Sequence, residues 1–556
     1  METSEKNFLL FAYLCGLFLG NRTDLLLLYP AFLLALWGRL KNSQFPVRLL
    51  ISSFLFFVLG LSVYFYLPAR SHSMPLINWS DPSKLENFIN VITRKSYGST
   101  LDLISLNYAP GELFLPNLYE YSMHVIRNFN LAILLCAAGI IYTLRKDIKV
   151  FFFLGTAFLF TGPIFLYLAN MPPNPHAMSI VEPYYAAPDL VLLFFSAYGA
   201  LWISSMKRLL PSALILASII VTLAFNFPRS YRAGLNITKS YARDVFASLP
   251  EKSILVARKD VQLFTLWYYA YAKNMRPDLA VIGQGLSGAE WYESSPIVSL
   301  RLETLPRLSS QKEGWLALKK LSGKRIFATL DCELPDDLPK KALGLFYEIL
   351  PDRNAGEDIK AVESYSFSAF SKPYNDFFVS DLASAYAQSI VAVFSSSISS
   401  GRAARFPYKM LDMAAALDED LPDPFLFKGF YLSSKGDWKS ALYNFEKACE
   451  KYYRLIDKAR WYRSLPDITG SLNLSASQAL LNLGVAYEKN GLPKESEQTY
   501  LKALRINPNL AQAHFNLAVL YWNRDRARAR TELYETLRID PSHQQAQYYL
   551  RVLEKS

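Results

Sequence analysis

The first 225 residues contain a series of apolar runs that are almost free of charge. A helical run of roughly 16–20 residues can cross about 30 Å of hydrocarbon, because an α-helix rises 1.5 Å per residue. Five runs are predicted to span a membrane, at 49–67, 131–144, 150–169, 190–205 and 209–225. Two shorter runs, at 8–20 and 25–38, are broken at Asn21 to Asp24 and are predicted to be short helices that meet at a membrane face. The sequence therefore indicates a multi-pass membrane protein with seven spans.

The distribution of basic residues predicts the orientation of these spans. Three groups flank the predicted turns: Arg39, Lys41 and Arg48; Arg145, Lys146 and Lys149; Lys207 and Arg208. All three lie on one side if the spans alternate, and the positive-inside rule assigns that side to the cytoplasm. We therefore expect a protein of the cell inner membrane, with the loop at 68–128, the loop at 171–185 and everything after Phe227 in the periplasm. Met1 to Lys6 lack a basic region leading to a cleavage site, so no cleavable signal peptide is expected.

From about residue 229 short β-type runs alternate with helical ones. The runs at 253–258 and 279–283 bracket a helical stretch, and two further runs follow at 324–330 and 343–350. A strand, a helix and a returning strand predict a parallel sheet in a small α/β domain. Because no G-x-G-x-x-G turn is present, nucleotide binding has no support.

The C-terminal third shows a 34-residue helical repeat typical of tetratricopeptide repeats. The repeat residues of the best-defined unit are Leu480, Leu483, Gly484, Tyr487, Ser496, Tyr500, Ala503 and Pro508. A later unit has Leu517, Ala518, Tyr521, Ala529, Leu533 and Pro541, and an earlier one has Gly429, Leu432, Ala441, Phe445 and Ala448. Stacked repeats of this kind offer a concave surface for an extended partner.

The predicted chain is thus multi-domain. An α-helical polytopic membrane domain occupies 1–228 with an external loop at 68–128, a small α/β extracytoplasmic domain occupies 229–375, and an α-solenoid of tetratricopeptide repeats occupies 376–556. Cys15 and Cys136 lie in apolar spans, whereas Cys332 and Cys449 lie in different exported domains, so we expect no disulfide. There is no C-x-x-C or H-E-x-x-H motif, and we expect no metal and no other cofactor. No nucleic-acid partner is expected.

Three stretches carry a resemblance to a known family. They are 66–98, 181–195 and 253–292, and the last contains Asp260, Trp267, Tyr268, Arg276, Pro277, Asp278, Trp291 and Tyr292 at the family's positions. Lys259 and Gln262 replace a glycine and an acid of the family pattern. Over roughly 8–295 the chain resembles the multi-spanning family called domain of unknown function 2723, whose animal relative is a transmembrane protein O-mannosyltransferase. Bacterial members of this family often carry C-terminal tetratricopeptide repeats.

The resemblance implies a glycosyltransferase of the GT-C type that uses a polyprenyl-phosphate sugar at the outer membrane face. Family members begin with a span and a loop carrying D-x-G-E and H-P-P-G-x-P, the expected place of the catalytic carboxylate. Neither motif occurs here, and Arg22 stands where the family usually has a histidine. The resemblance therefore implies an incomplete GT-C-like domain: a truncated or degenerate member, or one whose N-terminal part is a separate subunit.

The 66–98 stretch contains the residues predicted to bind such a donor. Arg70, Arg94 and Lys95 could pair with the lipid phosphate. Asn78, Trp79, Asp81 and Tyr97 could contact the sugar through hydroxyl partners and flat apolar faces. The alternative interpretation is structural: Arg70 and Trp79 also suit a membrane-interface belt, and Asn78 to Pro82 also suit a helix cap.

Two carboxylates are candidates for the base that glycosyl transfer to a hydroxyl requires. Asp24 lies at a break between two short apolar helices, where a charge near lipid is costly. It also suits a cap for the helix at 25–38, which is the more frequent role. Glu182, at the outer end of the span that follows it, is an equal candidate.

Three functional hypotheses follow. The first is a membrane glycosyltransferase, O-mannosyltransferase-like, or a subunit of one, whose repeats recruit an exported acceptor protein or peptide. The second is a non-catalytic membrane-anchored scaffold for periplasmic protein–protein interaction. The third, a transporter, is disfavoured because about half of the chain is soluble domain and the spans show no inverted repeat.

Overall fold

The computed structural model describes residues 5–41, 47–93, 95, 108–205, 209–231, 236–351, 362–365, 367, 377–399, 407–459 and 466–555. They form two compact units. The first unit comprises Met1–Leu235 with Leu286–Leu305, and the second comprises Asn236–Gly285 with Pro306–Ser556.

The α-helices up to residue 230 are α1 (Glu5–Leu19), α2 (Tyr29–Lys41), α3 (Val47–Leu61), α4 (Tyr66–His72), α5 (Leu85–Ile92), α6 (Phe114–Phe129), α7 (Ala132–Lys146), α8 (Ile148–Leu159), α9 (Phe165–Ala169), α10 (Pro175–Val181), α11 (Ala186–Ser204) and α12 (Leu209–Ser230). Those that follow are α13 (Ile237–Ala247), α14 (Asp260–Trp267), α15 (Glu290–Ser294), α16 (Pro296–Ser299), α17 (Lys312–Ser322), α18 (Phe377–Ser399), α19 (Met410–Leu417), α20 (Asp423–Ser434), α21 (Trp438–Ala459), α22 (Pro466–Lys489), α23 (Pro493–Ile506), α24 (Ala511–Tyr521), α25 (Arg526–Ile539) and α26 (Gln544–Lys555). Tighter or wider helical turns occur at Thr23–Leu28, Ser62–Phe65, Phe160–Ile164, Glu182–Tyr185, Tyr268–Ala272 and Gln284–Leu286. The strands are β1 (Ile254–Ala257), β2 (Ala280–Gly283), β3 (Ile326–Thr329), β4 (Lys340–Ala342) and β5 (Phe346–Ile349).

Every apolar run of the first unit forms a helix. Within the described residues, the continuous helices Val47–His72, Ile148–Ala169 and Pro175–Ser204 are long and apolar enough to cross a membrane. Phe114–Phe129 and Ala132–Lys146 pass the same test only as a pair, bent by 106°. The other apolar segments are shorter. They include Thr23–Trp37 and Ser212–Pro228, and α1 has 15 residues, which cover about 22 Å, less than the roughly 30 Å of a hydrocarbon core.

Glycines allow close approach between helices of the first unit. Where α7 crosses α11, a Cβ atom on Gly139 would lie 1.7 Å from the carbonyl oxygen of Phe195, and one on Gly199 would lie 1.9 Å from that of Leu135. Small residues at a crossing let backbones pack directly, which is a main source of association between helices in lipid. This crossing therefore requires glycine on both helices.

The sheet of the second unit has the strand order β2-β1-β3-β5-β4. The predicted parallel arrangement is confirmed for β1 with β2 and for β1 with β3. The 343–350 run forms β5 instead in antiparallel pairing with β3, and β5 also pairs antiparallel with β4. The pairing of β5 with β4 has a local reason: the two strands are joined by a tight turn with Gly344 at φ +75°, and a turn this short can connect only antiparallel strands.

Helix α18 is apolar and long enough to qualify as a candidate span by composition, with 22 residues from Phe377 to Ile398. In the second unit its side chains are largely covered, with Leu382, Tyr386 and Ile390 almost completely buried. Its Tyr386 hydroxyl donates to Asp244 Oδ2 at 2.7 Å, and its Asp381 pairs with Lys259 at 2.5 Å. These contacts are those of a core helix that packs beside the sheet.

The predicted solenoid is confirmed in helices α20 to α26, which form successive antiparallel pairs. Small residues lie where the two helices of a pair meet, and aromatic rings cover them: Gly429 faces Phe445, and Gly484 faces Tyr500. Two apolar clusters fill the repeats: one includes the buried Phe445, and the other includes the buried Tyr500 and Leu517. The fold class predicted from the sequence, a helical membrane unit with a small sheet and a repeat solenoid, is therefore confirmed.

Candidate functional site

The loop that leaves the first long span is held together by a buried polar cluster. Ser71 and Asn78 are both buried, and the Ser71 hydroxyl lies 2.8 Å from Asn78 Oδ1 and 3.1 Å from Asp81 Oδ1. Asp81 Oδ1 also accepts from Asn78 Nδ2 at 3.0 Å and from the Ser83 hydroxyl at 2.6 Å. Asp81 Oδ1 is thus the common hydrogen-bond acceptor that holds the 73–84 loop together.

The backbone of this loop is strained at its centre. Ser80 and Asp81 have φ values of +58° and +42°. Non-glycine residues in this left-handed region are uncommon and persist where surrounding contacts over-determine them, frequently at ligand sites. The hydrogen bonds to Asp81 supply those contacts here.

A segment distant in sequence docks on the same loop within the first unit. The Asn78 N–H donates to the Ser295 hydroxyl at 3.3 Å, and the Ile297 N–H donates to the carbonyl of Leu76 at 2.8 Å. The ring centroids of Trp79 and Trp291 lie 5.0 Å apart. The structure therefore brings together two stretches that resembled one family at the level of sequence.

Between the loop, α5 and α15 lies a cavity of about 210 Å³, which we call the loop cavity. Its walls are mainly polar and are formed by Ser80, Asp81, Lys84, Asn87, Asn90, Val91, Glu290, Trp291 and Ser294. Lys84 Nζ stands 4.0 Å from Asp81 Oδ2 and 3.6 Å from Glu290 Oε1. The cavity therefore offers amide, hydroxyl, carboxylate and ammonium groups beside an indole ring.

The electrostatics of Asp81 suit binding better than proton transfer. Hydrogen bonding from the Ser83 hydroxyl, followed by Ser71 and Asn78, holds the pKa of the Asp81 carboxyl below its ordinary value of 3.8, against the opposing effect of burial. A carboxylate that stays ionised and is already hydrogen-bonded is a weak base at neutral pH. Its free oxygen can accept a hydrogen bond from a ligand hydroxyl.

The other predicted ligands of the 66–98 stretch are distributed as follows. Asn78 is buried and positions the loop, while Trp79 is partly exposed and packs on Trp291. The Arg70 Nη1 donates to the Ser73 hydroxyl at 2.9 Å, and the Arg70 side chain is exposed and does not line the loop cavity. Lys95 is exposed. Arg94 and Tyr97 lie outside the described residues.

Sequence reasoning missed eight of the nine residues that line the loop cavity: Ser80, Lys84, Asn87, Asn90, Val91, Glu290, Trp291 and Ser294. Only Trp291 carried a sequence signal, through the W-Y pair of the family pattern. The polar residues of α5 carried none, because polar side chains on a short helix are ordinary wherever the helix meets solvent.

The two carboxylate candidates, Asp24 and Glu182, belong to neighbouring segments. Arg22 Nε pairs with Asp24 Oδ1 at 2.9 Å, Arg22 Nη1 donates to the carbonyl of Pro183 at 3.3 Å, and the guanidinium lies 4.1 Å from the centroid of the Tyr184 ring. Arg22 Nη2 is buried and has no hydrogen-bond partner among the described residues. Arg22 thus links the segment of Asp24 to that of the exposed Glu182.

A second polar cluster, which sequence reasoning also missed, joins α6 to α11. Asp189 Oδ2 accepts from His124 Nε2 at 2.8 Å, and Asp189 Oδ1 accepts from the Tyr121 hydroxyl at 3.1 Å. Asn128 Nδ2 donates to His124 Nδ1 at 2.9 Å. Both ring nitrogens of His124 are therefore occupied, so this arrangement fastens two helices and leaves no nitrogen free to act as a base.

Several family-matched residues of the second unit are structural. Arg276 donates from Nε and Nη2 to the two carboxylate oxygens of Asp278, each at 2.9 Å, and also reaches the carbonyls of Phe246, Leu249 and Pro250. Trp267 Nε1 donates to the carbonyl of Val281 at 2.9 Å. Within the described residues, no group of three or more His, Cys, Asp or Glu side chains could hold a metal ion.

Comparison with known proteins finds a curated relative over part of the chain and a repeat family near the C-terminus. Over 300 residues the chain is 27% identical to the Protein O-mannosyl-transferase TMEM260 of Mus musculus. The chain is similar to an O-mannosyl-transferase. The match covers 50% of this chain and 42% of the relative, so it spans less than half of the relative's length. Residues 477–510, which include the second half of α22 and all of α23, match the Tetratricopeptide repeat family.

Solved structures with partial likeness include YrrB, a TPR protein with an unusual peptide-binding site. It is 20% identical, with a TM-score of 0.17, over 29% of this chain and 90% of YrrB. The APC/C hetero-tetramer Cut9-Hcn1 is 13% identical, with a TM-score of 0.26, over 91% of this chain and 77% of that one.

Proposed function

We propose that the chain is a membrane glycosyltransferase, O-mannosyltransferase-like, or a subunit of one, and that the loop cavity binds the sugar of a polyprenyl-phosphate donor. The observation that carries the proposal is the convergence of the 73–84 loop and α15 around a polar cavity with an indole in its wall. Sugars are bound by such a combination, because hydroxyl groups need hydrogen-bond partners and the carbon face of the ring packs on aromatic rings. The similarity to TMEM260 supports a sugar as the ligand and membership of the domain of unknown function 2723 family.

The proposal assigns different roles to the candidate residues. Asp81, Asn87 and Asn90 bind hydroxyl groups, and Trp291, supported by Trp79, forms the apolar wall. Arg70, Arg94 and Lys95 are proposed to attract the lipid phosphate near the membrane surface. Asp24 and Glu182 are proposed as the carboxylates of the chemical step, with Arg22 between their segments.

The repeats provide the second part of the proposed function. A tetratricopeptide solenoid binds extended protein segments, so we propose that it recruits an exported acceptor protein. The basic groups at 39–48, 145–149 and 207–208 support a periplasmic location of the repeats, in a cell inner membrane. A periplasm-specific reporter fused after Ser556 is expected to be active; activity of only a cytoplasmic reporter would reverse this orientation.

Donor binding is tested with the full chain in lipid nanodiscs, using polyprenyl-phosphate mannose as the probe. Polyprenyl phosphate without sugar and free mannose serve as comparison ligands. We expect the mannosyl lipid to bind at least tenfold more tightly than either. Asn90→Leu fills the loop cavity without removing a hydrogen bond described for the Asn90 side chain, and is expected to weaken binding at least tenfold.

The matched control is Glu86→Gln on the same helix, which is exposed and does not line the cavity. It is expected to bind like the unchanged chain. Equal binding by Asn90→Leu and the unchanged chain would place the donor elsewhere. No binding of the mannosyl lipid by any form would favour the second hypothesis, a membrane-anchored scaffold, which the match of residues 477–510 to a protein-interaction repeat supports independently.

A further inference from the structure

Helix α5 has two faces of opposite character. At 100° per residue, Leu85, Ile89 and Ile92 fall within about 60° of one another, whereas Asn87 and Asn90 fall on the other side. The apolar face is open: Leu85 is 73% exposed and Ile89 is 50% exposed. The polar face lines the loop cavity. A soluble helix with this pattern would turn its apolar face inward, so the arrangement requires another explanation.

The apolar face of α5 continues the surface of a span. The Phe88 ring stacks on the Phe65 ring at a centroid distance of 6.1 Å and an interplanar angle of 22°. Phe65 belongs to the candidate span Val47–His72, and both Phe65 and its neighbour Tyr66 are exposed aromatic residues near the end of that span. The exposed side chains of α5 therefore begin where the lipid-facing surface of the span ends.

We infer that α5 lies in the interfacial plane of the bilayer, with Leu85 and Ile89 in the acyl boundary and its asparagines facing away from the lipid. Short helices with one apolar and one polar face bind membranes in this way, since transferring large aliphatic side chains from water into the acyl boundary is favourable. The continuity with Phe65 and Tyr66 favours the bilayer over a protein partner. The inference stands whether or not the loop cavity binds a sugar.

One consequence concerns the height of the loop cavity. A helix with its side chains is about 10 Å across, so an interfacial α5 holds the cavity about that far above the acyl boundary. Groups at this height belong to lipid headgroups rather than to lipid tails. The cavity is thereby placed to take a polar headgroup without withdrawing the lipid from the membrane.

The test uses the full chain in nanodiscs with a fluorescent NBD label at single introduced cysteines. Leu85→Cys and Ile89→Cys report on the apolar face, and Glu86→Cys, also exposed, is the matched control on a polar position. Cys136, Cys332 and Cys449 are buried and Cys15 is half-buried, so the chain without an introduced cysteine provides the background signal. All three positions are exposed, which makes misfolding of the variants unexpected.

Lipids with a nitroxide on the acyl chain are expected to quench the labels at 85 and 89 at least twofold more than the label at 86. Aqueous iodide is expected to show the opposite order. Equal quenching by iodide at 86 and 89 would place the helix in water and overturn the inference. Protection of 85 and 89 from both quenchers would also overturn it, because a protein surface, such as a second copy of the chain, would then cover this face.

Discussion

The indole rings of Trp79 and Trp291 pack against each other at a centroid distance of 5.0 Å and an interplanar angle of 43°. One ring belongs to the loop after the first long span, and the other belongs to a short helix that follows the second strand of the sheet. The contact closes one wall of the loop cavity and joins two segments of the first unit. It therefore couples the shape of the cavity to the docking of α15.

Truncating Trp291 tests this coupling. We expect Trp291→Ala to lower the free energy of unfolding by at least the roughly 0.5–1.5 kcal/mol of an aromatic pair, while Trp291→Phe loses less. Thermal unfolding in detergent measures both. Trp37→Ala serves as the control, because Trp37 is exposed. Equal effects at Trp291 and Trp37 would show that the ring pair contributes nothing to docking.

Asp81 should make the docked loop insensitive to moderate acid. Its pKa lies below 3.8, chiefly because the Ser83 hydroxyl donates to it. A group with a depressed folded pKa stabilises fully above its unfolded pKa and loses that contribution as the pH falls through the folded value. Tryptophan fluorescence of the loop is therefore expected to stay constant from pH 7 to 5.

Asp81→Asn is expected to destabilise docking at neutral pH by about 1.5–3 kcal/mol, the usual contribution of hydrogen bonds to a charged group. Glu86→Gln removes an exposed carboxylate of the same region and should change little. A fluorescence transition in the unchanged chain between pH 7 and 5 would contradict the low pKa of Asp81.

The architecture was readable from the sequence because each of its parts repeats a local pattern. Apolar runs identify spans, and the small residues Gly484 and Ala518 mark repeats at the 34-residue spacing. The loop cavity is different, since Asp81 and Ser294 meet only through the docking of distant segments. Strain at Ser80 and Asp81 also leaves no pattern in the sequence. The antiparallel pairing of β5 with β4 depends on a turn at Gly344, which the periodicity of apolar residues does not indicate.

The crossing of α7 and α11 should tolerate no side chain at Gly139. A Cβ atom there would lie 1.7 Å from the carbonyl oxygen of Phe195, so even alanine must push the helices apart. We expect Gly139→Ala to cost about 1–3 kcal/mol, as overpacking does, and to lower the melting temperature in detergent. Gly155→Ala is the matched control, since a Cβ at Gly155 meets nothing within 4 Å. Equal melting temperatures for the two variants would contradict the close crossing.

Even a conservative replacement of Arg276 should destabilise the second unit. Its planar fork pairs with both oxygens of Asp278 and reaches three backbone carbonyls, which a lysine ammonium cannot reproduce. We expect Arg276→Lys to lower the melting temperature of the second unit by several degrees. Arg243→Lys is the control, because Arg243 is more exposed and meets Asp244 at 3.7 Å.

The Arg276–Asp278 pair should also lose its stabilising effect at low pH. Hydrogen bonding from Arg276 lowers the pKa of Asp278 to about 2 from 3.8. The stabilisation from this pair is therefore present above pH 3.8 and is lost as the pH falls from 3.8 towards 2. Arg276→Lys should have a smaller loss of stability across that interval than the unchanged chain, and an equal loss would contradict the assignment.

The position of α18 decides which C-terminal fragment is soluble. In the second unit α18 buries Leu382, Tyr386 and Ile390 and is tied to Asp244 and Lys259 beside the sheet. A fragment beginning at residue 377 would carry this apolar helix without those partners, whereas one beginning at 407 would contain the repeats alone. We expect 407–556 to be a soluble helical monomer and 377–556 to self-associate, as measured by circular dichroism and size-exclusion chromatography.

Gly484→Val in the shorter fragment is the control for specific packing, because a Cβ there would lie 2.2 Å from the Tyr500 ring, and it should abolish cooperative unfolding. A disordered 407–556 fragment would mean that α18, rather than the repeat contacts themselves, holds the solenoid together.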